Sequence, residues 1–237
     1  IAISQDVQGE SFDFPEVFFE ESIHEIRRVH PDPSQVKQAA EKLKNSKQPI
    51  IISGGGVLYS EAEQELSNFA KKHNIPVTST VMGIGCMTKD DPYYISTVGA
   101  LGEGSSNNLS KDTDLALAVG TKLADFTTGS WANFENPNFE LVSVNTTRYD
   151  TTKHLATPVI SDAKVGLQQI SEALGDWKAP DPWYQRAIKE RDKWDLYVEK
   201  QSGPTNQEEP SYAHAVGAIY RNSDPSDIVV TAAGGLV

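Results

Sequence analysis

The sequence predicts an α/β protein, a three-layer doubly wound parallel sheet with helices on both faces. Three observations lead there. Largely apolar runs without regular polar alternation stand at Pro49–Ser53, Leu115–Val119 and Phe139–Val144. Strands covered on both faces read this way. Between the runs lie segments with apolar residues at helical spacing and their own start and stop residues. Strand and helix alternate through this stretch, and such alternation gives a parallel sheet with right-handed crossovers. The repeating core runs from Gln35 to Gly175.

Each element has a local reason. Residues 1–8 read as a strand, and Glu10–Pro15 as an acidic, aromatic linker. Asp32 can cap a helix whose first residue is Pro33. Val36, Ala39, Ala40 and Leu43 then form one buried stripe. The strand at Pro49–Ser53 runs into Gly54, Gly55 and Gly56. Ser60, with Glu63 three residues on, reads as a capping box. Leu66, Phe69 and Ala70 are the buried face of that helix. His73 reads as a cation in its last turn, and Asn74 as its left-handed stop. Ile75–Val81 is the next strand, with Pro76 at its start.

Gly83-Ile84-Gly85 opens a loop running to Tyr94, and Gly99–Gly104 is a second glycine-rich turn. Ser105–Ser110 is a short helix. The strand at Leu115–Val119 ends at Gly120-Thr121, and that at Phe139–Val144 ends at Asn145-Thr146. Val159-Ile160 is a short strand. Asp162 then caps a helix with Val165, Ile170 and Leu174 inward and Gly175 as its stop. Trp183–Lys200 is a charged helix and Gln201–Pro210 a polar linker. Ser211 caps a helix carrying Ala215, Val216 and Ile219. Ile228–Thr231 reads as a strand ending at Ala232-Ala233-Gly234-Gly235.

Composition narrows the function. The 237 residues carry a net charge of −12. A phosphate backbone is repelled by such a chain, so nucleic acid is not an expected partner. No apolar stretch approaches the roughly 20 residues of a membrane span, so no membrane partner is expected. Cys86 is the single cysteine. It excludes an internal disulfide and a cysteine-built zinc site. It also lacks a histidine nearby in sequence to activate it. Cytoplasmic location is the default reading. The absence of a starting methionine and of a leader suggests an excised fragment.

Chemical motifs are sparse. Gly54-Gly55-Gly56 is not a G-x-G-x-x-G fingerprint, because Tyr59 stands where the third glycine belongs. Backbone amides there could still hold an anion; the alternative is a tight turn and nothing more. The histidines do not cluster at metal-ligand spacing, and there is no G-x-S-x-G elbow. Asp112 and Asp114 read as turn residues rather than a carboxylate pair. The residues alone support an α/β domain with a nucleotide-type crevice at Gly54, Gly55, Gly56, Gly120 and Thr121, and no reaction.

The order of segments resembles the middle region of thiamine-diphosphate-dependent enzymes of the acetohydroxyacid synthase superfamily. Ile1–Gln8 looks like the closing strand of their pyrimidine-binding domain. Pro49–Gly56, Ile75-Pro76-Val77 and Gly83-Ile84-Gly85 resemble the first half of their central domain. Asp112–Thr121 resembles its second half, and Ile228–Gly235 the first strand of their diphosphate-binding domain. Asp6–Glu10 with Phe12–Pro15, Asp125–Ser130 and Thr231–Leu236 resemble the family that hydrolyses trihydroxycyclohexane-1,2-dione in myo-inositol catabolism. The resemblance implies residues 1–20 as the end of the first domain with its linker, 21–178 as the central domain, and 179–237 as a linker helix and the start of the third.

The resemblance also implies thiamine diphosphate and Mg2+ in a parent protein. That parent would cleave a ring C–C bond of a cyclic diketone to give 5-deoxyglucuronate, as a homo-oligomer (dimer or tetramer). The activating glutamate and the metal motif of the family fall outside this chain, so no catalytic or metal residue is expected in it. The fragment is expected to be inactive and to hold no cofactor. Only Ala232, Ala233, Gly234 and Gly235 match the family's diphosphate turn. The crevice would be vestigial. The alternative is an acetolactate synthase-like carboligase, whose central domain holds FAD; FAD is not the expected occupant here. A sirtuin-like deacylase is a third reading, set aside because the cysteine-bound zinc is missing.

Overall fold

The computed structural model describes all residues except 1, 26, 207, 225 and 231–237. Its centre is a six-stranded sheet, parallel throughout, in the order β3-β2-β1-β4-β5-β6. The strands are β1 (Pro49–Ser53), β2 (Val77–Ser79), β3 (Tyr94–Thr97), β4 (Leu115–Val119), β5 (Glu140–Asn145) and β6 (Thr157–Ile160). The helices are α1 (Pro33–Asn45), α2 (Gly55–Tyr59), α3 (Glu63–His73), α4 (Gly104–Asp112), α5 (Asp125–Thr128), α6 (Arg148–Thr152), α7 (Ala163–Leu174), α8 (Asp181–Ser202) and α9 (Tyr212–Asn222).

Strand period and burial agree. Ile51, Leu115, Leu117, Val142 and Val144 join one core with α1, α3 and α7. Ile50, Ile52, Ala116, Ala118 and Leu141 join a second core with Leu109 of α4 and Trp183 of α8. Alternate residues of one strand therefore enter opposite cores, which is why β4 is apolar at every position and β1 at every position but Ser53. The α/β doubly wound reading is the observed fold.

The expected caps hold at several helices. The Asp32 carboxylate accepts the Ser34 amide at 2.7 Å. Asp162 accepts the amides of Lys164 and Val165 at 3.0 and 3.3 Å. Ser211 forms a capping box with His214. Asn74 is left-handed at φ 56°.

Other expectations need correction. Ser60 caps no helix. It is itself helical, at φ −90° and ψ −3°, and closes α2, which starts inside the glycine run. Glu61 then turns left-handed at φ 50°, and α3 begins at Glu63 without a side-chain cap. β3 was not legible as a strand. Ser96 and Thr97 break its apolar run, and the Ser96 hydroxyl is satisfied by Ser105 and Ser106 of α4 at 2.7 and 2.6 Å. The described residues 2–8 form no strand, only a short 3-10 turn at Val7–Gly9. Ile228–Val230 are likewise exposed and outside the sheet; Thr231 lies outside the described residues. A strand forms only where a neighbour supplies its ladder, and neither segment has one here.

The sheet edges are covered, which blocks further pairing. Beside β6, the Ile160 amide donates to Gln35 Oε1 at 3.0 Å and the Asp162 amide to the Val29 carbonyl at 2.9 Å. Beside β3 runs α8, where Tyr184 donates to the Pro92 carbonyl at 3.1 Å and stacks on Tyr93 at 4.6 Å. Asp114 is a loop clamp, as its position suggested. Its carboxylate accepts the Ser46 hydroxyl and the amides of Lys47 and Gln48. Asp112 pairs instead with Arg186 of α8.

His73 is the largest departure. It is fully buried rather than a solvated cation at a helix end. Its Nδ1 lies 2.8 Å from the Trp177 carbonyl, which can only accept, so that nitrogen carries the proton. Nε2 is then free to accept the Ser171 hydroxyl at 2.9 Å. Burial, followed by the charges of Lys72 and Lys178, holds the imidazole below its ordinary 6.5 against the raising effect of the Trp177 carbonyl. The sign follows from linkage. Above 6.5 the ring is neutral in both folded and unfolded chains. As pH falls from 6.5 towards the depressed folded value, only the unfolded chain takes the proton, and stability drops. Urea midpoints measured between pH 8 and pH 5 should fall on the acid side, and His73→Gln should flatten that part of the curve.

Candidate functional site

The order of the sheet places the candidate site. From β1 the chain winds to β2 and β3 on one side, and β4, β5 and β6 follow on the other. The loops after β1 and β4 part in opposite directions and leave a crevice at the carboxyl ends of the strands. A cleft of about 740 Å³ lies there. Gly55, Gly56, Gly120 and Thr121 line it, with Tyr59, Met82, Leu123, Phe126 and Asn145 around them. Four of the five predicted crevice residues are thus together at its wall. Gly54, the fifth, is buried behind it.

The glycines are there because two backbones meet. A methyl group on Gly54 would lie 2.4 Å from the Gly120 carbonyl oxygen, and one on Gly56 would lie 2.6 Å from the Gly120 Cα. Gly120 itself has φ +62°, a conformation in which side chains are strained. The Gly54 amide donates to the Val119 carbonyl and the Gly56 amide to the Gly120 carbonyl, both at 2.9 Å. From below, Gly83 packs on Ser53, with room for no side chain. Two amides that would have faced an anion therefore already have partners, and the β4 loop sits over them. The amides of Gly54 and Gly56 are therefore not free for the diphosphate of a dinucleotide such as FAD.

Charges around the cleft are unequal. Asp162 pairs with Arg28 at 3.0 Å, and Arg28 also donates to the Ser60 carbonyl at 2.6 Å. Asp150 pairs with Lys153 at 2.9 Å. Arg27 and Lys122 also line the cleft, and neither makes an ion pair with any described residue. Sequence reasoning missed Arg27, Lys122, Tyr59 and Phe126. They come from three separate segments, and no local motif joins them.

Cys86 lies just beneath the turn, with Sγ 3.4 Å from the Gly54 carbonyl oxygen. It is buried, and burial pushes its thiol up to about 11, as suits an inert core residue. Among the described residues no group of three or more His, Cys, Asp or Glu is placed to hold a metal ion. No described helix is long and apolar enough to cross a membrane. The predicted diphosphate turn, Ala232, Ala233, Gly234 and Gly235, lies outside the described residues.

The central sheet and its crevice span a region that matches a family model described as thiamine pyrophosphate enzyme, central domain, over residues 36–170. The chain belongs to this family. The central-domain match starts in α1 and ends in α7, so it takes in all six strands and every crevice-lining residue except Arg27. Several relatives of the chain share a name. A 3D-(3,5/4)-trihydroxycyclohexane-1,2-dione hydrolase of Clostridium tetani is 38% identical over 195 residues, which is 82% of this chain and 30% of the relative. That of Geobacillus thermodenitrificans is 33% identical over 100% of this chain and 40% of the relative. That of Clostridium botulinum strain Alaska E43 is 41% identical over 73% and 27%. The chain thus spans between 27% and 40% of the length of these relatives.

Proposed function

We propose that this chain is the central part of a thiamine-diphosphate-dependent hydrolase. That enzyme opens the ring of trihydroxycyclohexane-1,2-dione, by C–C cleavage, to 5-deoxyglucuronate. The observation that carries the reading is the likeness to hydrolases of that name, up to 41% identical, joined to a central-domain fold. Residues 1–20 would end the preceding domain, 21–178 form the central domain, and 179–237 lead into the next. The cofactor would supply a nucleophilic carbon and an electron sink; Mg2+ would hold its diphosphate. Neither the base nor the metal ligands of the family are expected in this chain. Its own role is to present a rigid wall beside the substrate cleft and between subunits of a cytoplasmic homo-oligomer.

The chain alone should therefore be inactive. Calorimetry with thiamine diphosphate and Mg2+ should show no micromolar binding; saturable micromolar heat would overturn this division of labour. The crevice is read as vestigial. The amides of Gly54 and Gly56 are engaged by Val119 and Gly120 at the end of β4, which disfavours the flavin-binding carboligase reading.

A further inference from the structure

A buried joint holds the turn between the sheet and α8. Residues 175–180 leave α7 and lead into α8, just past the region that matches the family model. Outside those two helices, their hydrogen bonds go to only two of the described residues. The Trp177 carbonyl accepts His73 Nδ1 at 2.8 Å, the Ala179 amide donates to the His73 carbonyl at 2.8 Å, and Asn74 Nδ2 donates to the Ala179 carbonyl at 3.2 Å. The Trp177 ring stacks on the imidazole at 6.3 Å, and Ala179 is buried. The end of α3 therefore holds the joint through one imidazole and its neighbour.

The imidazole sits where a charge is poorly tolerated. Its Nε2 accepts the Ser171 hydroxyl at 2.9 Å, and Ser171 Oγ also receives Lys72 Nζ at 3.2 Å. A second ring proton would turn Nε2 into a donor and leave the Ser171 hydroxyl proton without that acceptor. The groups around the ring offer no compensation. α3 brings Phe69, with 4.8 Å between ring centroids, and Lys72; α7 brings the neutral Ser171; the joint brings Trp177 and Lys178. Both charges that act on the ring are thus cations. A buried cation without a counter-charge is strongly disfavoured, and letting water reach the ring relieves it. Residues 175–180 are the part of the cover that can leave. Gly175, Asp176 and Lys178 are already exposed, whereas α3 and α7 are fastened to the core by Leu66, Ala70, Leu167 and Ile170.

We propose that a proton taken up by His73 releases residues 175–180 as a local unit, so that this joint is a pH-gated latch between the sheet and α8. At neutral pH the latch is shut and the path from α7 to α8 is fixed. In acid it opens, while Trp183 on the Pro49 carbonyl and Arg186 on Asp112 keep α8 on the sheet. The opening is distinct from global unfolding, because a segment with few buried contacts opens at lower free energy than the core strands. The inference stands apart from the hydrolase reading, since it needs only the contacts around His73.

Native-state hydrogen exchange of the whole chain tests it, read at the Ala179 amide as protection relative to an unstructured amide. From pH 8 to pH 5 that protection should fall once pH drops below the ring's ordinary 6.5, by at most about tenfold per pH unit. Ala179 should also exchange faster than the amides of β4. Low urea should leave it unchanged and speed β4, since a local opening exposes little surface. His73→Gln keeps a donor and an acceptor between Trp177 and Ser171 but takes up no proton, and should abolish the acid response. Lys178→Glu, at an exposed position, sets a counter-charge near the ring and should shrink it. Protection at Ala179 that stays flat from pH 8 to pH 5, or that follows β4 in urea, would sink the proposal. So would a full acid response in either variant.

Discussion

Gly120→Ala is expected to destabilise the chain strongly, because its glycine combines a left-handed backbone with a close backbone neighbour. Two separate costs meet at this residue. A left-handed φ of +62° costs a non-glycine residue on the order of 1–3 kcal/mol. The added methyl would also lie 2.7 Å from the backbone of Gly56, and overpacking of that kind costs about 1–3 kcal/mol. Their sum is a large share of the 5–15 kcal/mol or so that holds a typical domain folded. Two controls separate the effects. Gly56→Ala meets the Gly120 backbone at 2.6 Å without a positive φ, and Gly175→Ala has φ +64° with nothing within 4 Å. Urea unfolding should rank Gly120→Ala as the worst of the three. Equal losses in Gly120→Ala and Gly175→Ala would show that the β1–β4 contact is looser than described.

The second large effect is at Trp183. Its ring is 3% exposed and its Nε1 donates to the Pro49 carbonyl at 2.8 Å. It pins α8 to the start of β1, outside the part of the chain that matches the family model. Trp183→Ala removes a large buried ring and should cost about 3–5 kcal/mol. Trp183→Phe keeps most of the packing and leaves the Pro49 carbonyl without that donor, which should cost about 1–3 kcal/mol. Thermal melts can separate the two. A wild-type melting temperature in Trp183→Ala would mean that α8 is not part of the cooperative unit.

Both cases show where the sequence was readable. β1 and β4 announced themselves because both faces of each are buried, so every residue but Ser53 is apolar. β3 did not, because its buried Ser96 is satisfied by α4, a partner that no local pattern reveals. The glycine run was legible as a turn. That it abuts Gly120 was not, since the partner lies on another strand and only the parallel register brings them together. Ser60 had the composition of a cap and the backbone of a helix end. His73 stood where cations favour a helix, yet Trp177 and Ser171 fold over it from the far end of the domain. The crevice was predicted in place but not in chemistry. Its polarity comes from Arg27 and Lys122, which have no signature together in sequence.

The central claim is that this chain belongs to an enzyme that opens a cyclic diketone and holds little of the chemistry itself. The most direct measurement uses a full-length protein carrying this chain, supplied in parallel with trihydroxycyclohexane-1,2-dione and with pyruvate, with and without thiamine diphosphate and Mg2+. The account predicts ring opening of the diketone that depends on the cofactor, and no turnover of pyruvate. Turnover of pyruvate with the diketone left intact would contradict it.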